Sequence, residues 1–433
     1  MANFRREIFS GNYGLIGSIT YFLVILVMIV IPVYHWYVTP ILIIWGFFWL
    51  YQIKRRILDF KHIEIQNKLL LIVFIIFYIW QIIGILYSDN TKEGWRNIVL
   101  RLPFILFPLF LISPEDKIQQ NIMKLLRIFA LSTFFYLIVC FGYAFYRSLY
   151  IKNGILVFNP NLPVETWLNY FYGSEFAFSQ HPSYLSMYIL FSVYIAFESF
   201  FVMSVSKTRR MLWLAVVIVF LFSIYLLSAR ADILATLLTV PFYLFSKMKK
   251  IKRNRIFVPV FLISIIILII IFISNPRLNY NLKGDSKKEW SNKLFNESRF
   301  DIWESAFNII RHNIVFGVGT GDIQDELNKE YKFSGKKDLE LVKNLNTHNQ
   351  FIEILVENGL IGLILFLSIL GLMFFIAFSG KNIIYIMFLF IILFSFLFET
   401  MLNRSAGVSF FSFFSFILLQ NNTNRQIKHG NTP

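Results

Sequence analysis

The chain is poor in charged residues and contains a single cysteine. Asp, Glu, Lys and Arg make up 15% of its 433 residues, whereas a soluble domain carries roughly a quarter. Cys140 is the only cysteine, which excludes a disulfide within the chain and a cysteine-based metal site. A cleavable signal peptide is not expected, because the first apolar block is too long and many others follow it. The scarcity of charge argues against a soluble enzyme.

Apolar residues take the place of the missing charge. They make up 57% of the chain, with a mean hydropathy of +0.62, and they occur in blocks long enough to cross a bilayer. A backbone in lipid must satisfy its own hydrogen bonds, and the alternating pattern of a barrel is absent, so each block predicts a helix. We therefore expect an all-α integral membrane protein, a single polytopic domain over residues 1–433 with about twelve transmembrane helices. The 51 phenylalanines are interpreted as lipid-facing bulk. The predicted spans are 14–34, 36–53, 69–87, 98–113, 122–149, 182–205, 211–228, 232–246, 256–274, 350–378, 382–399 and 406–420.

The distribution of Lys and Arg orients these helices. With the N-terminus inside, 21 Lys and Arg residues fall in inner segments and six fall in short outer segments. The one long outer loop is left out of this count, because long loops cross the membrane largely regardless of their charge. Because inner loops carry the excess of positive charge, both the N-terminus and the C-terminus are expected in the cytoplasm. The net charge of +16 is explained in this way, and nucleic acid is not an expected partner. Membrane lipids are an expected partner, because the basic run Lys247–Arg255 is interpreted as an anchor near anionic headgroups.

Two predicted outer segments are large. Residues 150–181 are aromatic and polar, and residues 275–349 form a large outer loop between the ninth and tenth helices. Within the second loop, residues 300–314 have apolar side chains at helical spacing, which predicts an amphipathic helix. We expect this helix to lie against the outer membrane surface as a lid.

Two arginines on the predicted outer side are candidates for a function. Arg230 separates two apolar spans in the sequence SARAD, so it lies at the tip of a tight helical hairpin. An arginine at membrane depth is costly and usually has a partner or a role. Arg230 therefore either closes the hairpin with Asp232 as its ion-pair partner, or binds a substrate. Arg299 lies at the start of the amphipathic helix and is, by itself, also consistent with a solvated loop residue.

Two further motifs lie in the large outer loop and at its end. Glycines alternate in Phe316–Gly321, which favours a close backbone turn that positions the loop. No Gly-Lys-Ser/Thr follows, so this is not a P-loop. His348 lies at the outer end of the tenth helix and is followed by Asn349 and, two to three turns later, by Glu357. A histidine in this place serves either as an interface anchor or as a proton acceptor.

Arg230, Arg299 and His348 come from distant parts of the chain, yet the predicted topology brings all three to the outer side. Two guanidinium groups match the geometry of a phosphate and remain charged. A histidine titrates near neutrality and can take a proton from a hydroxyl. This set suits a metal-free transfer from a pyrophosphate leaving group, and no outer carboxylate cluster indicates a metal site. The second-tier candidates are His181, Arg404, Asn349 and Glu357.

The order and spacing of these motifs resemble the O-antigen ligase and O-antigen polymerase superfamily. The resemblance in topology covers nearly the whole chain, and the motifs concentrate between residues 228 and 365. No single motif is specific, but their order and spacing are. The motifs are Arg230 between two helices, Arg299 followed by Trp303, Phe316–Gly321, His348–Asn349, Glu357 followed by Gly359 and Gly362, and the segment Arg101–Pro108.

The resemblance implies a C-type glycosyltransferase fold in the bacterial inner membrane, with 275–349 as a periplasmic loop. Such enzymes move a glycan from undecaprenyl diphosphate to an acceptor hydroxyl on the periplasmic side, without a cofactor or metal ion. Transferred to this sequence, the resemblance implies that Arg230 and Arg299 bind the diphosphate and that His348 activates the acceptor. Ligases use the lipid A core as acceptor, polymerases use another carrier-linked glycan, and a third group uses protein hydroxyls. The ligase activity is the expectation here, with a polymerase as the alternative.

A transporter of lipid-linked oligosaccharides is a more distant alternative. Transporters often place charged residues and broken helices at the membrane midplane. Here the polar residues concentrate in one outer loop, and the main charged residues within spans, Arg101 and Arg127, lie near helix ends. This distribution favours an enzyme over a transporter. A structural scaffold would not need His348 and two arginines on the same side.

Overall fold

The protein is mostly helical. The computed structural model describes residues 15–54, 63–113, 116–162, 169–201, 206–248, 266, 289–336, 339 and 345–420. Within these ranges, seven helices are long and apolar enough to cross a membrane, and three shorter apolar helices accompany them. The helices are α1 (Leu15–Val33), α2 (Val38–Lys54), α3 (Ile65–Ile85), α4 (Thr91–Leu100), α5 (Pro103–Leu111), α6 (Asp116–Gln120), α7 (Ile122–Ser148), α8 (Gly173–Phe176), α9 (Pro182–Phe201), α10 (Lys207–Leu227), α11 (Arg230–Met248), α12 (Glu289–His312), α13 (Ile323–Phe333), α14 (Gln350–Ser379), α15 (Ile383–Phe398) and α16 (Ser405–Ile417). Strands β1 (Leu149–Lys152) and β2 (Ile155–Phe158) form an antiparallel hairpin after α7.

Ten of the twelve predicted spans coincide with a helix to within a few residues. The span predicted at 98–113 is broken, because α4 ends at Leu100 and α5 begins at Pro103. Proline is well suited to the first turn of a helix, where its missing N–H leaves no hydrogen bond unmade, and Arg101 at the break turns into the protein and is buried. The span predicted at 256–274 lies outside the described residues, apart from Ile266.

Phenylalanine fills the interior of the bundle as well as its surface. All side chains of α16 after Ser405 are buried, including Phe410, Phe411, Phe413, Phe414 and Phe416. The ring of Phe414 lies 4.9 Å from the rings of both Phe129 and Phe191. The interpretation of the phenylalanines as lipid-facing bulk is therefore wrong for this helix. At 13 residues it is only about 20 Å long, and it packs against the short helix α5 as well as against longer helices such as α7 and α9.

One end of the bundle carries the polar loops. The turn after α1, the β-hairpin after α7, the α10–α11 turn, helices α12 and α13, and the segment between α15 and α16 all lie there. Hydrogen bonds connect several of these segments: Gln180 Nε2, before α9, donates to the carbonyl of Val33 at the end of α1 at 3.1 Å, and Arg299 Nη2 of α12 donates to the carbonyl of Phe398 at the end of α15 at 3.3 Å. We call this the loop end; it is the end that the sequence predicts to be the outer one.

Most of the segment 300–314, for which the sequence predicts an amphipathic helix, lies in α12, which ends at His312. Its apolar face, including Ile302 and Ile309, is buried against Leu327 of α13 and Val356 of α14. The apolar stripe therefore builds a small second core at the loop end. Its placement on the membrane surface as a lid stays a prediction.

The glycine-rich segment Phe316–Gly321 attaches this second core to the bundle. The N–H groups of Val318 and Gly319 donate to the carbonyls of Val356 and Glu357, at 2.9 and 3.0 Å. Gly317 has a φ of +74°, and a Cβ there would lie 2.5 Å from the carbonyl oxygen of Glu357. Only glycine allows this left-handed backbone and this close approach. The predicted positioning turn is confirmed.

Candidate functional site

Glu399 lies at the centre of the polar side chains of the loop end. It directly follows α15, in the turn that leads to α16. Its Oε2 lies 3.3 Å from Nδ1 of His348, and its Oε1 accepts a hydrogen bond of 3.3 Å from Oγ of Ser183. The side chains of His348 and Glu399 are 32% and 23% exposed. The pair is therefore shielded by its surroundings yet open to a substrate.

Positive charge surrounds the Glu399 carboxylate. Burial alone raises the pKa of Glu399, but the hydrogen bond with His348 and the charges of His348, His181 and Arg299 lower it by more. The net effect is a pKa below the ordinary value of a glutamate. Glu399 is therefore ionised at neutral pH and can hold an imidazole in a fixed orientation.

A strained backbone presents His348 to Glu399. His348 has a φ of +50°, a left-handed conformation that is uncommon for residues other than glycine. Its N–H donates to Oδ1 of Asn346 at 3.1 Å, and the carbonyl of the preceding Thr347 accepts a hydrogen bond from Nε1 of Trp303 at 2.9 Å. Asn349 follows as the N-cap of α14, with its Oδ1 accepting from the N–H groups of the first turn. The side chain of Asn349 thus caps the start of α14, the helix that begins two residues after His348.

Arg299 and Arg230 lie next to this pair. Nη2 of Arg299 donates to the carbonyl of Phe398 at 3.3 Å, one residue before Glu399. Burial lowers the pKa of the Arg299 guanidinium, and the nearby Glu399 carboxylate offsets part of this effect. Arg230 is close enough for its charge to be repelled by that of Arg299. It begins α11, after a tight turn in which the buried Ser228 has a φ of +52°.

Two partly buried arginines whose charges interact favour a bound anion. Each guanidinium is less stable because the other is near, and an anion between them would relieve the repulsion. A diphosphate provides two such groups and matches the planar fork of arginine. Asp232 is also buried, and it lies close enough to Glu399 for the charge of that carboxylate to act on it. Two arginines and two acidic side chains therefore lie near one another at the loop end.

The second-tier residues His181 and Arg404 lie at the rim of this cluster. Both are exposed. The charge of His181 acts on Glu399, and that of Arg404 acts on Tyr184 and His35. Both residues are therefore placed to contact a large substrate from the solvent side.

Glu357, the last second-tier candidate, is engaged in a buried ion pair. Its two oxygens accept hydrogen bonds of 2.6 and 3.0 Å from Nη1 and Nη2 of Arg101. Nη2 of Arg101 also donates to Oδ1 of Asn403 at 3.0 Å. The carboxylate of Glu357 is thus occupied within the protein rather than presented to a substrate.

Sequence reasoning missed Glu399. The predicted span 382–399 ends on this residue, so it was included in the apolar block rather than considered as a candidate. The available signal was a carboxylate at the very end of an apolar run, five residues before Arg404. That signal alone does not indicate that His348, 51 residues earlier in the chain, is its partner.

The segment that carries the two arginines and His348 matches a known family. Residues 214–367 match the family model described as O-antigen ligase. This match supports the assignment of the chain to the O-antigen ligase superfamily. O-antigen ligase family members are membrane glycosyltransferase-like enzymes that act on lipid-linked glycans and acceptors. The matched stretch contains Arg230, Arg299 and His348, whereas Glu399 and Arg404 lie beyond its end. No curated protein matched the chain.

Proposed function

We propose that this protein is an O-antigen ligase-type glycosyltransferase. It moves a glycan from undecaprenyl diphosphate to an acceptor hydroxyl, with the lipid A core as the favoured acceptor. The reaction takes place at the loop end, on the periplasmic side of the bacterial inner membrane. The observation that carries the proposal is the convergence of Arg230, Arg299, His348 and Glu399 from four separate segments of the chain.

His348 acts as the general base in this reaction. Glu399 holds Nδ1 of the imidazole, so Nε2 is the nitrogen that accepts a proton from the acceptor hydroxyl. The acceptor oxygen forms a bond with the anomeric carbon of the donor glycan. The bond between that carbon and the diphosphate oxygen breaks, and its electron pair leaves with the diphosphate. Glu399 stabilises the imidazolium that results.

Arg230 and Arg299 stabilise the leaving group. Negative charge increases on the diphosphate as the sugar departs, and fixed positive charges aimed at that place lower the barrier. The two arginines supply this charge without a metal ion. Holding the acceptor oxygen and the anomeric carbon in one geometry provides much of the remaining acceleration.

A polymerase of the same superfamily would use the same four residues with a different acceptor. The two activities are separated by deleting the gene in its source organism and measuring the lipid-linked and surface glycans by gel and mass analysis. If the protein is a ligase, long glycans should persist on undecaprenyl diphosphate in the deletion strain and disappear from the lipid A core. If it is a polymerase, single repeat units should accumulate and long chains should disappear from both pools. Unchanged pools would contradict the proposed function.

A further inference from the structure

A buried polar network lies behind His348 and Glu399 and takes no part in the roles described so far. Glu353, in the first turn of α14, connects the two segments that carry these residues. Its Oε2 accepts hydrogen bonds from the N–H and Oγ1 of Thr347, at 3.1 and 2.6 Å. Its Oε1 accepts from Nδ2 of Asn403 at 2.5 Å. One carboxylate therefore holds the residue before His348 and a residue of the turn that follows Glu399.

The same turn is held from its other side. Oδ1 of Asn403 accepts from Arg101, whose guanidinium forms the two-bond pair with Glu357. Leu402 is fixed through its backbone: its N–H donates to Oε1 of Gln350 at 2.8 Å, and its carbonyl accepts from Nε of Arg101 at 3.3 Å. The turn between Glu399 and α16 is thus connected at two consecutive residues to α14 and to the break between α4 and α5.

Charged side chains that are buried inside the protein, as in this network, are costly and call for an explanation. Glu353 and Glu357 are each 1% exposed, and Arg101 is 5% exposed. Buried ion pairs are often no more stabilising than apolar residues of the same size, so stability alone does not account for three buried charged residues. A fully hydrogen-bonded network does fix one arrangement of the segments that it joins. The left-handed backbone of His348 needs such support, since it is strained unless its surroundings hold it.

We propose that this network is a positioning device for the transfer reaction, in which Glu353 sets the geometry of His348 against Glu399 through Thr347 and Asn403. The inference rests on the proposed function. The side-chain hydrogen bonds of Glu353 are to Thr347 and Asn403. They are separate from the two bonds that tie α12, the helix of Arg299, to the same segments through the carbonyls of Phe398 and Thr347, and Arg230 lies on α11. Weakening the network should therefore slow the transfer step and leave donor binding intact. A role in stability alone would not separate these two effects.

The hydroxyl of Thr347 is the most direct point at which to test this. Thr347→Val keeps the shape of the side chain and removes the hydrogen bonds of its hydroxyl, to Glu353 at 2.6 Å and to the carbonyl of Asn349 at 3.0 Å, while the N–H of residue 347 still donates to Glu353. Thr347→Ser restores the hydroxyl. Thr133→Val is the matched control, because Thr133 is equally buried and hydrogen-bonded but lies in α7, where its hydroxyl donates to the carbonyl of Phe129. Transfer is measured with the full-length protein in membranes, per amount of inserted protein, together with its melting temperature.

We expect Thr347→Val to lower kcat by about tenfold or more, as small misplacements of catalytic groups do, with the KM for the lipid-linked donor unchanged. Thr347→Ser should recover most of the rate, and Thr133→Val should match the wild type. A wild-type rate in Thr347→Val, an equal loss in Thr347→Ser, or a loss confined to KM would overturn the inference. If Thr347→Val inserts poorly, Asn403→Ala breaks the other link to Glu353 and carries the same expectation.

His348→Ala, measured in parallel, separates this inference from the proposed function. Retained activity in His348→Ala removes the proposed base and, with it, the reason for a positioning device. If His348→Ala loses activity while Thr347→Val keeps it, the proposed role of the network is refuted and the proposed function stands.

Discussion

At the scale of single residues, the account depends on the contact between His348 and Glu399. A carboxylate on one imidazole nitrogen fixes the tautomer of the ring and stabilises the positive charge that the ring gains as a base. The shared surroundings of the pair, with Arg299 and His181 nearby, keep Glu399 ionised. In the proposed reaction the same arginine would act twice, on the base through Glu399 and on the leaving group directly.

Glu399→Gln should retain the shape of the pair and lose its charge. We expect the transfer rate to fall by at least about tenfold, within the range by which general-base catalysis contributes. The matched control is Glu304→Gln, which removes an exposed carboxylate of α12 that pairs with Lys336. Equal rates in Glu399→Gln and in the control would remove Glu399 from the reaction.

The pKa of Glu399 also predicts a pH dependence of stability. Because its pKa is lowered in the folded protein, the ionised carboxylate contributes stability above the unfolded value of about 4.3, and this contribution is lost as the pH falls through the folded value. Glu399→Gln should therefore melt below the wild type at pH 7, and the two melting temperatures should converge on acidification. A difference that persists unchanged to pH 3 would contradict the assignment.

Arg230→Lys tests whether Arg230 binds a diphosphate or only anchors a helix hairpin. Lysine keeps the charge but lacks the planar fork that binds phosphate oxygens in pairs. We expect a loss of activity in Arg230→Lys and little change in Arg311→Lys, which alters an exposed arginine of α12 outside the candidate site. Full activity of Arg230→Lys in a transfer assay would show that Arg230 only anchors the hairpin and does not bind the diphosphate through its planar group.

At the scale of elements, the glycine-rich segment joins the second core to the bundle. It packs between α3 and the kink of α14 at Gly359, where φ is +64°. Hydrogen bonds continue this contact: Oγ1 of Thr320 donates to the carbonyl of Gln81 at 2.6 Å. The helix that carries Arg299 and the helix that begins after His348 are thereby held in a fixed relation.

Gly317→Ala should loosen this joint. The added Cβ would lie 2.5 Å from the backbone of Glu357, so we expect a loss of roughly 1–3 kcal/mol in stability and a lower transfer rate. Gly335→Ala is the matched control, since Gly335 also has a positive φ, +68°, but nothing lies within 4 Å of the added atom. The two variants are compared by melting temperature and activity, and equal effects would show that backbone strain alone is responsible.

The elements also show what the sequence can and cannot predict. Long apolar runs located ten helices, because their length follows from the thickness of the bilayer. The helical spacing of apolar residues in α12 likewise predicts which face of that helix is buried. The break at Arg101 was missed because apolar residues continue on both sides of it, and the buried position of α16 was missed because a helix core and a lipid-facing surface have the same composition. Glu399 was missed because its partners are distant in the chain.

At the scale of the whole molecule, the candidate residues share one end of the bundle. The distribution of Lys and Arg, counted largely over other residues, predicted the same end for Arg230, Arg299 and His348. An enzyme that joins a membrane-anchored donor to an acceptor outside the membrane needs this arrangement, because the lipid tail enters from the bilayer while the sugars remain in water. Much of the remaining positive charge lies in segments that the sequence predicts to be inner, where it would serve to orient the protein in the membrane.

Transfer by the wild type and by His348→Ala, each restored to the deletion strain at equal levels in the membrane, tests the central claim most directly. The measured quantity is the amount of glycan moved from undecaprenyl diphosphate to the acceptor. The account predicts transfer with the wild type and a loss of about 10²–10⁴-fold with His348→Ala, as expected for a missing general base. Equal transfer by both proteins would contradict it.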